Sequence, residues 1–234
     1  MKKRLDQILA NHGLCSRRDA HKLVRSGRIT IGGEAPKSGG DKVLARDVRV
    51  DGSPLDHPDG IFIILNKPVG YSCTHDESEG PIVLDLLPPA WRERTPAVTT
   101  VGRLDKETSG AILVTDQGEW VHRLTSPKHK VPKRYLATIA RPLPTDAAAT
   151  LASGTLVLEG ETEPCLPAQL ETISETLARI ILTEGRYHQV RRMIAALGSH
   201  VETLHRERFG DYDCSNLATG QWRDTSMPDG SRLD

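Results

Sequence analysis

The basic residues of this sequence are concentrated in its first fifty positions, which divides the chain into two unlike parts. Residues 1–50 contain 12 Lys and Arg against 5 Asp and Glu, although the whole 234-residue chain has no net charge. The remainder therefore holds 19 basic and 26 acidic residues. Such a division is typical of a module that binds a polyanion and is joined to a part with a different task. A solvated basic face on a small domain is the alternative reading.

Composition excludes two classes of protein. No apolar run approaches the roughly 20 residues that span a bilayer, and no signal-peptide core follows the charged start. The four cysteines are scattered without a Cys-x-x-Cys pair, so they suggest neither a disulfide framework nor a zinc ribbon. We expect a reduced, cytoplasmic enzyme or binding protein.

The basic segment has the pattern of two helices followed by short strands. Leu5, Ile8 and Leu9 form an apolar stripe at helical spacing, and a second helix is predicted from Arg17 to about Ser26 with Ser16 as its N-cap. Its outward face carries Arg17, Arg18, His21, Lys22 and Arg25. Like charges on one helix face repel unless a polyanion neutralises them, so this face is suited to phosphate contact. Strands are predicted at 29–31, 43 and 48–50.

Residues 4–52 resemble an S4 RNA-binding domain. The resemblance rests on the opening RLDQILA, on CSRRDAHKLVRSGRI and on the closing DVRVDG. It implies that the helix turn and the basic helix lie against structured RNA. The residues that it places near the RNA are Arg4, Arg17, Arg18, Lys22, Arg25 and Arg28.

The rest of the chain predicts a second, larger domain. Turn residues are frequent between 51 and 60, and we place a linker at 56–60, between domains at 1–55 and 61–234. Short apolar strands are predicted at 61–65, 98–104, 111–115, 135–139, 168–173, 177–182 and 201–205, with helices at 118–124, 146–151 and 188–197. Frequent Gly and Pro turns argue against a regular Rossmann sheet. The fold class is therefore α+β: a small S4-like α/β domain plus a domain built on a mainly antiparallel mixed sheet with flanking helices.

Two polar clusters follow predicted strands. In the first, Arg103 and Asp105 flank Leu104 and point to the same side of an extended loop. In the second, Gly185 gives a turn before a helix that begins near His188 and carries Arg191 at the margin of its apolar side. A surface turn and a solvated helix face are the alternatives. His188 has no neighbouring ligand set that would make a metal site.

Together with the S4-like segment, these clusters resemble the RsuA branch of the pseudouridine synthases. Four motifs occur in the order of that family: LNKPVGY at 65–71, GRLDKETSGAILVTDQG at 102–118, LTSPKHKVPKRYLATI at 124–139 and EGRYHQVRRMIAALGSHVETLHRERFG at 184–210. The resemblance implies isomerisation of one ribosomal RNA uridine to pseudouridine, without cofactor or metal.

The resemblance also assigns roles to residues. Asp105 matches the catalytic aspartate, Tyr135 the aromatic residue that stacks on the target base, and Arg191 the basic position where relatives often carry lysine. Because burial alone would raise the pKa of Asp105, we expect Arg191 to lie against it in a dry cavity. Arg103 is expected to contact the RNA backbone or to occupy the space that the base leaves. Lys128, Lys130 and Lys133, in a stretch without acidic residues, would extend the RNA surface, unless that stretch is a solubilising loop.

Three alternatives stay open at this point. The RYHQVRRM form and the length favour an enzyme for 16S rRNA, and an enzyme for 23S rRNA is the runner-up. A non-catalytic S4-type RNA-binding protein would explain the basic segment alone. A glycoside-acting hydrolase would need a second carboxylate, for which Glu107 and Glu184 are weak candidates. The partner is expected to be ribosomal RNA or a subunit assembly intermediate, the protein a monomer, and its last eight or so residues loosely ordered.

Overall fold

The computed structural model describes residues 1–228, so most of the tail expected to be loosely ordered lies outside the described residues. The chain forms two compact units. The first contains Met1–Phe62, Leu84–Thr99 and Val114–Gly118. The second contains Ile63–Val83, Thr100–Leu113 and Glu119–Asp234. None of the helices formed by residues 1–228 has the length and apolar character that crossing a membrane requires.

The N-terminal segment of the first unit has two helices and two small sheets. Its elements are β1 (Lys3–Arg4), α1 (Leu5–Asn11), α2 (Ala20–Arg25), β2 (Ile29–Ile31), β3 (Lys42–Val43), β4 (Val48–Val50) and β5 (Ser53–Pro54). Strand β1 pairs with β3, and β2, β4 and β5 form an antiparallel sheet in that order. The predicted apolar stripe is confirmed, because Leu5, Ile8 and Leu9 are buried against Ala20 and Val48.

Helix α2 begins at Ala20, later than the predicted start at Arg17. The Ser16 hydroxyl accepts from the main-chain N–H of Asp19 at 3.1 Å. This contact closes a separate turn over residues 16–19, so the regular helix starts only after it.

The other segments of the first unit are joined to residues 56–61 by a buried ion pair. The Nε of Arg94 lies 3.2 Å from Oδ2 of Asp116, and both side chains are almost completely buried. Arg94 also donates to the carbonyl oxygens of Asp56 and His57, while Asp116 accepts from the N–H of Ile61. Residues 56–60, where we placed a linker, thus have specific partners within this unit. The proposed domain boundaries at 55 and 61 remain predictions.

The larger sheet is built mainly in the second unit. The remaining elements are β6 (Phe62–Lys67), β7 (Thr99–Thr100), β8 (Thr108–Thr115), α3 (Gly118–Thr125), β9 (Lys133–Ile139), α4 (Ala147–Ser153), β10 (Gln169–Ser174), β11 (Leu177–Leu182), α5 (Gln189–Ala196), β12 (Val201–Phe209), β13 (Tyr212–Asp213) and β14 (Trp222–Asp224). Short 3-10 helices occur at Ala45–Asp47, Glu77–Glu79, Val83–Leu86, Pro89–Glu93 and Pro127–His129.

Within residues 1–228 this sheet has nine strands. Seven follow the order β10-β11-β9-β12-β8-β6-β14, while β13 pairs with β12 and β7 with β8. The pairs β10–β11, β11–β9, β9–β12, β12–β13 and β6–β14 are antiparallel, whereas β12 and β8 run parallel. The predicted α+β fold with a mainly antiparallel mixed sheet is therefore confirmed.

One predicted strand is much shorter than expected. The strand predicted at 98–104 is reduced to Thr99–Thr100, and the chain then turns through Gly102, whose φ is 71°. Glycine accepts this left-handed conformation without steric cost. The turn converts residues 101–107 into a loop that ends where β8 begins, at Thr108.

Candidate active site

A cavity of about 260 Å³ in the second unit is lined by four of the predicted site residues, Arg103, Asp105, Lys133 and Tyr135. The loop before β8 contributes Arg103 and Asp105, strand β9 contributes Lys133 and Tyr135, and β12 contributes Arg206. The loop between β11 and α5 closes another side with residues 183–186 and 188. Sheet and loops therefore bring together groups that are up to about a hundred positions apart in sequence.

The main chain of the Asp105 loop is held in place by hydrogen bonds with several segments. The Leu104 N–H points to the Cys73 sulfur at 3.5 Å, and the Gly70 N–H donates to the Lys106 carbonyl at 2.8 Å. Within the loop, the Thr108 N–H donates to the Asp105 carbonyl at 3.0 Å. These contacts fix the base from which the Asp105 side chain extends.

The side chain of Lys67 also holds the Asp105 loop in place. The side chain is fully buried, and its Nζ donates to the carbonyl oxygens of Pro68, Lys106 and Thr108 at 2.9, 3.4 and 2.8 Å. Burial lowers the pKa of Lys67, whereas the nearby charges of Glu107 and Asp105 act in the opposite direction. Lys67 thus places a cation beneath the loop and satisfies carbonyls on both sides of Glu107.

The carboxylate of Asp105 is half-exposed and faces His188. Its Oδ1 lies 3.5 Å from Nε2 of His188, and the two side chains are 38 % and 37 % exposed. Within residues 1–228 it makes no other ion pair. The expectation of a dry cavity is therefore wrong for this structure, since water reaches the carboxylate.

The predicted ion pair between Arg191 and Asp105 is not formed. The two terminal nitrogens of Arg191 donate instead to the carbonyl oxygens of Val201 and Glu107, both at 3.2 Å. The guanidinium is thereby held at the end of the loop, two residues from Asp105, and it does not line the cavity. Arg191 stabilises the position of the loop and contributes its charge only from a distance.

The loop before α5 is held by a network of charged side chains. Arg186 pairs with Glu184 and Glu161, and Arg192 pairs with Glu161 as well. Glu107 and Glu184 were the candidates for the second carboxylate of a hydrolase. Glu184 is engaged in this network, and Glu107 is exposed. His188 has a left-handed backbone (φ 48°) and stacks on Tyr187 at 3.9 Å between ring centroids. Strain of this kind in a non-glycine residue is often found at functional sites.

Tyr135 is buried on the inner wall of the cavity. It lies directly opposite Arg206 in the antiparallel pair of β9 and β12, and Lys133 lies opposite Phe209. Cross-strand neighbours of this kind have side chains in contact distance. One wall therefore combines aromatic rings with two cations.

The resemblance placed six residues of the basic N-terminal segment (residues 1–50, the head) near RNA. All six are exposed. Four of them already have acidic neighbours: Arg4 and Arg17 contact Asp6, Lys22 contacts Asp19, and Arg28 contacts Asp51. Exposed pairs are worth about 0–1 kcal/mol, so a phosphate can replace these partners at little cost. Arg18 and Arg25 have no ion pair with any residue that the structure describes.

The remaining predicted RNA contacts differ in their surroundings. Lys128 and Lys130 are exposed around the short 3-10 helix at Pro127–His129. Arg103 is exposed at the cavity and has no side-chain partner among residues 1–228. Lys133, by contrast, belongs to the cavity wall.

Sequence analysis gave no individual role to three residues that the structure brings to the site. Lys67 and Arg206 lie within quoted motifs. Lys67 ends a largely apolar strand, which is a signal for a specific buried partner, whereas the strand of Arg206 is mostly polar and gives no such signal. His188 was considered only for a metal site, and its contact with Asp105 could not be seen because the two residues are far apart in sequence.

Comparison with known proteins supports what fold and site suggest. Residues 3–48 match the S4 domain, and residues 61–196 match the family described as RNA pseudouridylate synthase. These matches define the class of protein, an RNA-modifying enzyme that carries an RNA-binding module. The chain belongs to the RNA pseudouridylate synthase family, and the resemblance to its RsuA branch is confirmed. RNA is therefore its substrate class.

Similar proteins cover almost the whole chain. Ribosomal small subunit pseudouridine synthase A of Escherichia coli is 42% identical over 225 residues, which cover 94% of this chain and 95% of that protein. The protein of the same description from Yersinia pestis is 43% identical, with 94% and 93% covered. A crystal structure described as a pseudouridylate synthase superposes with a TM-score of 0.66 at 36% identity, covering 95% of this chain and 96% of that chain.

Proposed function

We propose that this protein isomerises one uridine of 16S ribosomal RNA to pseudouridine. The observation that carries the proposal is the full-length similarity to synthases named for the small ribosomal subunit, together with Asp105 in the shared cavity. The RYHQVRRM segment and the overall length agree with this assignment. We further propose that the protein acts as a monomer in the cytoplasm.

The reaction exchanges one glycosidic bond for another. The bond between N1 and C1′ breaks, uracil turns within the pocket, and C5 joins C1′. Asp105 would attack C1′, add to the base, or remove a proton from the sugar. All three routes require the ionised carboxylate.

Two groups that can carry a positive charge lie near Asp105 or its loop. His188 lies 3.5 Å from the carboxylate, and Lys67 supports the loop from below. Because the free site is open to water, the carboxylate is partly solvated before RNA binds. RNA that covers the cavity would remove this water and strengthen each of these electrostatic interactions.

Tyr135 would hold the target base. A uridine must leave its stack to reach Asp105, which costs a few kcal/mol. Stacking on an aromatic ring returns about 1–3 kcal/mol per base. Arg103 is free to contact the RNA backbone or to fill the space vacated by the base.

The basic residues outside the cavity would supply most of the affinity for RNA. In the head these are Arg4, Arg17, Arg18, Lys22, Arg25 and Arg28, and Lys128 and Lys130 add to them. Contacts with phosphates release counterions and are independent of sequence. The cavity would then select the uridine on which the enzyme acts.

Release of tritium tests the reaction and the role of Asp105. Ribosomal RNA labelled with tritium at C5 of uridine loses the label when C5 joins C1′. We expect the wild-type protein to release tritium and Asp105→Asn to release none while still binding RNA. The exposed Asp146→Asn is the matched control and should behave as wild type. Equal release by wild type and Asp105→Asn would remove the proposed role.

Mapping of pseudouridine tests the substrate. Carbodiimide-stop sequencing of rRNA from a deletion strain should show one missing pseudouridine in 16S rRNA. A missing site in 23S rRNA would instead assign the enzyme to the large subunit. Free uracil as the product would indicate a hydrolase.

A further inference from the structure

The inner wall of the cavity carries two cations on one face of the sheet. Lys133 and Tyr135 belong to β9, and Arg206 and Phe209 to β12. The ring of Phe209 has the guanidinium carbon of Arg206 at 5.0 Å and the Nζ of Lys133 at 5.7 Å from its centroid. Two positive groups therefore share one aromatic neighbour at the position next to Tyr135.

Arg206 is a buried charge without a counterion. The residue is 2 % exposed, and its Nε donates to the Ala111 carbonyl at 2.7 Å. Its Nη2 is buried and has no hydrogen-bond partner. No carboxylate among the described residues lies within ion-pair distance of it. A buried charge in this condition costs several kcal/mol, which an incoming anion would offset.

Lys133 reinforces the same positive field. Its Nζ has one hydrogen bond, to the Val131 carbonyl at 3.1 Å. Burial, followed by the charge of Arg206, lowers the pKa of Lys133 to about 8, while Glu184 acts weakly in the opposite direction. The like charge of Arg206 thus disfavours protonation of a lysine that points to the same wall.

The acids near this wall are engaged elsewhere. Glu184 pairs with Arg186, and Asp105 pairs with His188. Neither forms an ion pair with Lys133 or Arg206. Arg103, which also lines the cavity, is positive. The two cations consequently have no carboxylate partner within the described part of the chain.

We propose that Lys133 and Arg206 form a binding site for one backbone phosphate of the RNA, adjacent to the target uridine. This inference rests on the proposed function and deepens it. A nucleotide whose base stacks on Tyr135 brings its own phosphates to the same wall, because Arg206 is the direct cross-strand neighbour of Tyr135. A phosphate carries a permanent negative charge, and the guanidinium fork can bind two of its oxygens.

The phosphate site makes RNA binding depend on pH. A bound phosphate favours the protonated form of Lys133, whose pKa in the free protein is about 8. The affinity for RNA is therefore highest below this pKa and falls as pH rises above it. Lys133→Arg should remove this decline between pH 7 and 9, since arginine stays charged in that range. The other charged or titratable groups that face this cavity are unchanged in the variant, so their effect on RNA binding is the same in both proteins. These groups are His188, Asp105, Glu184, Arg186, Arg103 and Arg206.

The test measures binding without turnover, in the Asp105→Asn protein with an oligoribonucleotide that contains the target uridine. Lys133→Gln should weaken binding about tenfold at 0.1 M salt. It should also reduce the slope of log Kd against log salt by about one. Lys133→Arg should keep both the affinity and the slope. Circular dichroism and thermal unfolding of each variant establish that the fold is retained.

A neutral linkage then identifies the phosphate. Methylphosphonate is placed singly on the 5′ or the 3′ side of the target uridine. We expect one of these modified RNAs to bind the parent protein more weakly than unmodified RNA does. The Lys133→Gln protein should bind that modified RNA and unmodified RNA with equal affinity. Equal losses for both proteins at every linkage, or an unchanged salt slope, would overturn the phosphate site. A slower reaction with unchanged binding would also overturn it. Failure of wild type to form pseudouridine would reject the proposed function separately, because the binding measurements need no turnover.

Discussion

Asp105 depends on residues that hold its loop as much as on those that face its carboxylate. The His188 ring faces the carboxylate, whereas Lys67 and Arg191 contact main-chain carbonyls on the C-terminal side of Asp105. Catalytic groups must be held within fractions of an ångström, which requires supports of this kind. Lys67 and Arg191 are therefore positioning residues in this structure.

Replacement of Lys67 tests this positioning. Lys67→Met removes the lysine donor from the Thr108 carbonyl and leaves the Lys106 carbonyl with only the Gly70 N–H, so the loop should shift. We expect the single-turnover rate to fall by about 100-fold while RNA affinity changes little. Lys106→Met, which removes an ammonium exposed on the same loop, is the control and should retain the rate. Equal rates for wild type and Lys67→Met would show that the loop is fixed without the lysine.

At the scale of elements, the parallel pair of β8 and β12 connects the Asp105 loop to the cavity wall. Gly110 lies opposite Arg206 in this pair, with a φ of 109°. A Cβ at this position would lie 2.2 Å from the Arg206 carbonyl oxygen and 2.7 Å from its nitrogen. Only glycine allows the two backbones to approach so closely.

Gly110→Ala should therefore separate the two strands. We expect a loss of about 3 kcal/mol or more in the free energy of unfolding, or failure to fold, since strain and a backbone clash act together. Urea denaturation measures the difference. Gly118→Ala is the matched control, because a Cβ there meets no atom within 4 Å. A stability within 0.5 kcal/mol of wild type, as is usual for surface substitutions, would contradict the close approach.

At the scale of the whole molecule, the absence of net charge conceals a head with an excess of seven positive charges. Several of these charges are partly compensated by neighbouring aspartates, whereas Arg18 and Arg25 have no ion pair with a described residue. The long-range attraction of RNA would thus come from a few uncompensated arginines and from basic residues whose exposed ion pairs with aspartates break readily.

Salt titration of RNA binding distinguishes these contributions. Replacing Arg18 and Arg25 together by Gln should lower the slope of log Kd against log salt by about two, if each contacts one phosphate. The double variant Lys37→Gln, Arg46→Gln removes the same charge from exposed positions outside the predicted set and should leave the slope nearly unchanged. Identical slopes for the two double variants would reject the proposed RNA contacts of Arg18 and Arg25.

Much of the fold could be predicted because it depends on local patterns. The strands at 29–31, 48–50 and 177–182 have the predicted bounds, since each segment is rich in apolar residues and is followed by a glycine within three positions. The start of α2 and the length of β7 were wrong, because Ser16 and Gly102 form turns that compete with regular structure. Asp105 and Tyr135 line one cavity, which agrees with the roles that the family resemblance gave them.

The sequence by itself determined the α+β class, the basic head, and the residues that could carry the chemistry. Only the tertiary structure decided which charges meet. Arg191 contacts the carbonyl of Glu107, 84 positions away, and Asp105 faces His188 in its place. Likewise, nothing local indicates that Arg206 is buried without a counterion while Lys67 is satisfied by three carbonyls. The physical reason is that patterns of polarity follow from neighbours along the chain, whereas ion pairs and burial depend on strands that the fold brings together.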